Sequence, residues 1–205
     1  MTMQRVPALA TIVVTVALLS VVRADADSRL VAPGVSSEKA PDKFAVRFET
    51  TKGAFVVEAY RPWAPQAADR FYNLVRTGYL DGNLFYRVLP ENGADFGISG
   101  DPDRTKTWRT ATIPCDPPRR KIRAGDVFLL NTGAGEGATT EIRIQTASDG
   151  SAASQTGAAA LGRVVEGIEI LASLNSSHMQ DTRKWPKMVR TLVNDGEAAV
   201  RKDFP

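Results

Sequence analysis

Residues 44–60 alternate apolar and polar positions in two runs. Phe44-Ala-Val-Arg-Phe-Glu-Thr50 and Ala54-Phe-Val-Val-Glu-Ala-Tyr60 flank Lys52-Gly53. Period-two runs on either side of a glycine turn predict a β-hairpin. The period then lengthens. Ala64-Pro65 opens a stretch in which Ala67, Phe71, Leu74 and Val75 fall at helical spacing, and Gly78 stands where a C-terminal cap belongs. Leu84 to Leu89 reads as a strand with Phe85, Arg87 and Leu89 on one face. Asp126–Asn131, Thr140–Thr146 and Leu161–Val165 read as further strands. A short helix is predicted near Glu166–Leu174 with Ile168 and Leu171 inward, and Met188–Asn194 as a strand that closes the sheet. Many short strands and two well-separated helices predict a mostly β, closed barrel capped by two α-helices.

The chain ahead of the hairpin has a different texture. Met1 to Arg5 carries one positive charge, Val6 to Val22 is almost continuously apolar, and Ala24-Asp25-Ala26 fits a small-x-small cleavage site. Residues 1–26 are therefore expected to be a signal peptide, with an uncleaved membrane anchor as the alternative. Residues 27–42, rich in Ser, Ala, Pro and charge, read as a flexible linker, and 43–205 as one domain. The expected location is exported, periplasmic or extracellular.

Composition narrows the chemistry. The 205 residues carry a formal charge of +3, too weak and too evenly spread to make nucleic acid the main partner. One Cys excludes an internal disulfide and a thiolate-rich metal site, and one His excludes a His cluster. No membrane contact is expected apart from the N-terminal leader.

Several motifs are similar, in order, to those of one known family. Phe48-Glu-Thr-Thr-Lys-Gly53, Ala64-Pro65, Phe71-Tyr-Asn-Leu-Val75, Gly78-Tyr79 and Asp81-Gly82 resemble the opening of a cyclophilin-type domain. Phe85-Tyr-Arg-Val-Leu-Pro90, Phe96-Gly-Ile-Ser-Gly-Asp101 and Leu161-Gly-Arg-Val-Val-Glu-Gly167 continue the pattern. Arg201-Lys-Asp-Phe-Pro205 resembles the end of bacterial members. The resemblance implies an eight-stranded antiparallel barrel with a helix at each end, and peptidyl-prolyl cis-trans isomerase activity. It also implies a proline-containing peptide or protein as partner and no cofactor; separately, a monomer is expected.

Rotation about a peptide bond meets a barrier of about 18–20 kcal/mol, because the nitrogen lone pair is delocalised. A catalyst needs a recess for the proline ring, anchors for the backbone, and a fixed donor for the nitrogen of the twisted amide. Arginine supplies such a donor, always charged and planar.

The resemblance places Arg87 as that catalytic arginine; taken alone, it is also an ordinary surface arginine on a strand. Asn131, in Leu129-Leu-Asn-Thr-Gly133, matches the substrate-backbone-binding asparagine, or is a turn residue before Gly133. The remaining pocket departs from the family pattern. Asn92 and Gly93 stand where the family has a proline-contacting Phe and Met, and Asp95 where it has an Arg-positioning Gln. Glu141-Ile-Arg143 replaces Gln-x-Phe. Further pocket positions fall in the small, polar stretch Ser151–Ala158. Two acids and two bases then converge at the site, and Asp95 and Glu141 are expected to pair with Arg87 and Arg143 in a network that fills it. Burying an apolar side chain of proline size contributes about 1.5–3 kcal/mol, so a pocket without its apolar wall predicts weak catalysis or a non-catalytic peptide-binding or structural module.

Other features point away from chemistry. Gly133-Ala-Gly-Glu-Gly137 lacks the ending of a phosphate-binding loop. Arg119-Arg-Lys-Ile-Arg123 reads as a solvated face, with attraction to anionic surfaces as the alternative. Cys115 reads as inert, with an oxidation site as the alternative; His178 has no triad partner; and Trp63, Trp108 and Trp185 read as packing residues, with a partner surface as the alternative.

Overall fold

The computed structural model describes Pro33 and residues 37–131, 137–147, 157–177 and 184–204. The apolar leader, His178, Thr132–Glu136 and Ser151–Thr156 lie outside the described residues. Strand β1 (Lys43–Thr50) pairs with β2 (Gly53–Tyr60) in an unbroken register from Lys43↔Tyr60 to Thr50↔Gly53. Phe44, Val46, Phe55, Val57 and Ala59 turn inward, as period two requires. The chain is docked before β1 begins, because Glu38 N–H donates to Asn73 Oδ1 at 3.1 Å and Ala40 N–H to Asp69 Oδ1 at 2.8 Å.

Helix α1 (Pro65–Arg76) buries Ala67, Phe71, Leu74 and Val75, and ends at Gly78, whose φ is 60°. Its N-terminus has no local side-chain cap. The carboxylate of Asp116 performs that task from a distant loop, accepting from Gln66 N–H at 3.1 Å and Ala67 N–H at 2.9 Å. Beyond α1 come β3 (Arg87–Leu89), β4 (Gly93–Phe96), α2 (Pro102–Arg109), β5 (Ile113–Pro114) and β6 (Asp126–Leu129). They are followed by β7 (Gly137–Ala138), β8 (Ile142–Gln145), β9 (Gly162–Glu166), α3 (Ile168–Ala172), α4 (Lys184–Asp195) and α5 (Glu197–Asp203).

Seven strands form one antiparallel sheet in the order β1-β2-β9-β6-β8-β4-β3, and β5 pairs with β7 separately. The fold is therefore mostly β, with five helices among the described residues where two were expected. The expected eight-stranded closure is not seen as a ladder: among the described residues β1 and β3 do not pair. The sheet instead curls until side chains from its two ends meet. The Phe48 ring of β1 stacks on Phe55 at 4.9 Å and meets Phe96 of β4 edge-on at 5.7 Å, while Phe96 lies 5.1 Å from Phe85.

Three other expectations need correction. Met188–Asn194 is part of helix α4, not a closing strand; Met188 and Leu192, one turn apart, pack with Tyr86, Ile98 and Val200 in a second small core. Within Leu84–Leu89 only Arg87–Leu89 forms a strand. Leu171 is buried, but Ile168 is 45 % exposed, because a five-residue helix lying on the sheet has one inward side and Leu171 takes it.

Candidate functional site

Three neighbouring strands put three charges in one row. Arg87 of β3 is the register partner of Asp95 on β4, and Asp95 that of Arg143 on β8. Directly opposed residues in antiparallel strands share a face and lie within side-chain reach. Asp95, 2 % exposed, accepts from both arginines: Oδ2 takes Arg87 Nη1–H at 3.1 Å and Arg143 Nη2–H at 2.7 Å, and Oδ1 takes Arg143 Nε–H at 2.6 Å. The Arg143 side chain keeps 12 % exposure and that of Arg87 25 %. Burial pulls the Arg143 guanidinium down, and its bonds and charge contact with Asp95 more than offset this, so its pKa is raised. Arg87 has a second neighbour in the ring of Trp185, 5.8 Å from its guanidinium carbon.

Glu141, expected in the same network, takes another partner. Its buried carboxylate accepts from the Tyr86 hydroxyl at 2.6 Å. Burial, then the charges of Glu141 and Asp95, push the Tyr86 phenol well above its ordinary value. Asn92 sits in the turn between β3 and β4, donating its N–H to Leu89 O at 2.9 Å. Its buried Oδ1 has no hydrogen-bond partner among the described residues.

Asn131 is apart from the row. It is exposed beyond the end of β6 and lines a recess of about 380 Å³ with Ala67, Ile113, Asp116, Leu129 and Ala138. A second recess of about 150 Å³ lies between Phe85, Tyr86 and α4. Arg87 lines neither. The structure thus brings Arg87, Asp95 and Arg143 together, gives Glu141 to Tyr86, and leaves Asn92 and Asn131 elsewhere. Among the described residues no group of three His, Cys, Asp or Glu side chains is placed to hold a metal ion.

The sequence profile described as cyclophilin type peptidyl-prolyl cis-trans isomerase/CLD matches residues 45–194. The chain belongs to that family. Curated cyclophilin-type relatives include the peptidyl-prolyl cis-trans isomerase ppi1 of Schizosaccharomyces pombe, 40% identical over 67 residues, which are 33% of this chain and 40% of that protein. The peptidyl-prolyl cis-trans isomerase-like 1 of Gibberella zeae is 32% identical over 93 residues, 42% of this chain and 54% of the relative. The chain thus spans about half the length of these fungal relatives. A solved cyclophilin type peptidyl-prolyl cis-trans isomerase of Cryptosporidium parvum superposes with a TM-score of 0.55 at 19% identity, covering 69% of this chain and 89% of that one. At that identity the likeness shows the cyclophilin fold. The same protein solved in the presence of the dipeptide Ala-Pro gives a TM-score of 0.53 at 18% identity, covering 67% and 88%. These cyclophilins are eukaryotic, and the bacterial likeness of Arg201–Pro205 rests on the sequence reading alone.

Trp185 and Tyr86 are the neighbours that sequence reasoning missed. Trp185 reaches Arg87 from a helix almost one hundred positions away, for which no local signal exists. Tyr86 was visible inside the Phe-Tyr-Arg element, and a hydroxyl beside a family glutamine position that has become Glu141 is the clue that pairs them.

Proposed function

We propose that the chain is a weak peptidyl-prolyl cis-trans isomerase acting on X–Pro bonds of exported proteins, with Arg87 as its electrostatic catalyst. The observation that carries the reading is the position of Arg87, in the family's Phe-x-Arg element and held across the ladder by Asp95 at 3.1 Å. Two guanidiniums on one carboxylate leave the row with one net positive charge, most open to solvent at Arg87, whose side chain is 25 % exposed. Such a charge stabilises the lone pair that localises on the proline nitrogen as the amide twists. Weakness follows from the same contact. A unit charge pair at 4 Å is worth about 4 kcal/mol at an effective dielectric of 20, and Asp95 claims that interaction before a substrate arrives. Arg143 stands where an apolar wall would otherwise hold the ring, which is the sense in which the proline pocket is degraded. Asn131 is proposed to bind the peptide backbone, and Asn92, Asp95, Glu141 and Arg143 to border the substrate. Export is proposed from the apolar run Val6–Val22 and the Ala24-Asp25-Ala26 site.

Exchange between cis and trans forms of an Ala-Pro peptide, followed by NMR, tests the reading. Catalysis above the uncatalysed rate that falls about 100-fold in Arg87→Ala supports it; equal rates for the two proteins overturn it. A second reading, a peptide-binding module without turnover, is favoured by the engagement of both arginines by Asp95 and by the position of the larger recess at Asn131. Under it, Arg87→Ala leaves peptide affinity unchanged.

A further inference from the structure

On β9 and the loop that leads into β6, apart from Arg87's row, one surface combines cations with open apolar side chains. Arg119, Lys121, Arg123 and Arg163 are exposed and form no ion pair among the described residues. They are connected through the fold. Asp126, the register partner of Arg163, donates its N–H to Arg123 O at 3.0 Å, and Arg119 Nη1–H donates to Pro62 O at 2.9 Å. The exposed large apolar side chains of the described chain, Val165 at 44 % and Ile168 at 45 %, flank the same loop. Val165 shares the outward face of β9 with Arg163. A Cβ on Gly125, two residues from Arg123, would lie 3.4 Å from Ile168 Cδ1. The surface continues into Trp63, stacked on Tyr60 at 4.3 Å and covered by the Arg120 guanidinium at 4.5 Å. Arg120 itself is neutralised by Asp126, and Lys43 by Glu58. Two exposed acids stand directly beside the apolar pair, Glu166 after Val165 at the end of β9 and Glu169 after Ile168 in α3, against those four cations.

We infer that this face docks on an anionic lipid bilayer, a contact separate from the isomerase reading and from the leader. Cations alone would suit any polyanion. Open aliphatic side chains among them, with a tryptophan beside them, suit a headgroup region, where apolar groups enter the acyl boundary while Lys and Arg stay with the phosphates. Val165 and Ile168 would gain nothing from a nucleic acid backbone. The inference departs from the sequence expectation of no membrane contact beyond the leader, since it gives the folded domain a contact of its own.

The experiment uses the full chain and vesicles of phosphatidylglycerol or of phosphatidylcholine at low salt. The leader is identical in every arm, so its affinity, including the preference of Arg5 and Arg23 for anionic lipid, cancels when a variant's ratio of partition between the two lipids is divided by that of the wild type. The wild-type chain is expected to favour phosphatidylglycerol, with a ratio that falls as salt is added. Arg119→Gln, Lys121→Gln and Arg123→Gln together should lower the ratio by on the order of 100-fold, each cation near an anionic surface contributing a factor of about five. Val165→Ser with Ile168→Ser should reduce partition to both lipids. Lys121→Gln alone, whose side chain makes no bond among the described residues, should reduce the ratio about fivefold without disturbing the fold. A wild-type ratio of one, a ratio unmoved by Lys121→Gln, or retention of duplex DNA that these cations control while vesicle binding does not depend on them, each overturns the inference.

Discussion

Asp95 serves two guanidiniums with one carboxylate, so changing it alone and changing it with a partner have different costs. Asp95→Asn leaves Arg143 desolvated beside a neutral amide. Breaking a buried pair from one side costs about 3–5 kcal/mol, and the residual exposure of the arginines brings this to about 2–4 kcal/mol in urea unfolding. Asp95→Gln combined with Arg143→Phe removes charge from both sides. It should recover most of that stability and raise kcat/KM for the Ala-Pro peptide, because Arg87 is released and an apolar wall is added; a rate below wild type would count against Asp95 as the inhibitor. Tyr86 supplies a pH test. Its folded pKa lies well above 10, so its contribution is complete below pH 10 and is lost as pH rises beyond it, at about 1.4 kcal/mol per pH unit for one proton. Tyr86→Phe should flatten this alkaline decline, and should cost about 1–3 kcal/mol near pH 7 because buried Glu141 loses its donor. The site was only partly legible in sequence for a related reason. Motif order placed Arg87, Asp95 and Arg143, but whether Glu141 chooses an arginine or a phenol depends on packing between residues 55 positions apart.

Local pattern was most informative where an element is stabilised by its own residues, as in the β1–β2 hairpin. It failed where the partner is remote. The segment Met188-Val-Arg-Thr-Leu-Val-Asn194 carries β-branched residues and near-alternation, yet it is helical because Met188 and Leu192 share one face against Tyr86 and Ile98. Tertiary burial overrode a weak propensity. Helix α1 shows the same dependence at its first turn. Ala64-Pro65 marks the start, but the acceptor for its free N–H groups is Asp116, in a segment for which the sequence predicts no element. Asp116→Ala should cost about 1–2 kcal/mol in thermal or denaturant unfolding and speed hydrogen exchange at Gln66 and Ala67. Unchanged exchange at those two amides would show that water replaces the carboxylate without loss.

Closure of the molecule is a matter of side chains. β1 and β3 stand at opposite ends of the seven-strand order, with no ladder joining them among the described residues, yet Phe48 and Phe96 are 5.7 Å apart and Phe85 is 5.1 Å from Phe96. Three rings, one from each of two strands and one from the approach to β3, thus hold the curl that positions Arg87. Phe96 is 3 % exposed, and truncating a buried phenylalanine costs about 3–5 kcal/mol. Phe96→Ala should show more than this loss. If aromatic contact closes the sheet, hydrogen exchange should accelerate in β1 as well as in β3 and β4, although β2, β9, β6 and β8 stand between β1 and β4 in the hydrogen-bonded order. If backbone pairing elsewhere holds the curl, only β3 and β4 should lose protection. Under the isomerase reading, activity should follow the first outcome, because an open sheet displaces β3 and β4 and with them the Arg87–Asp95 pair.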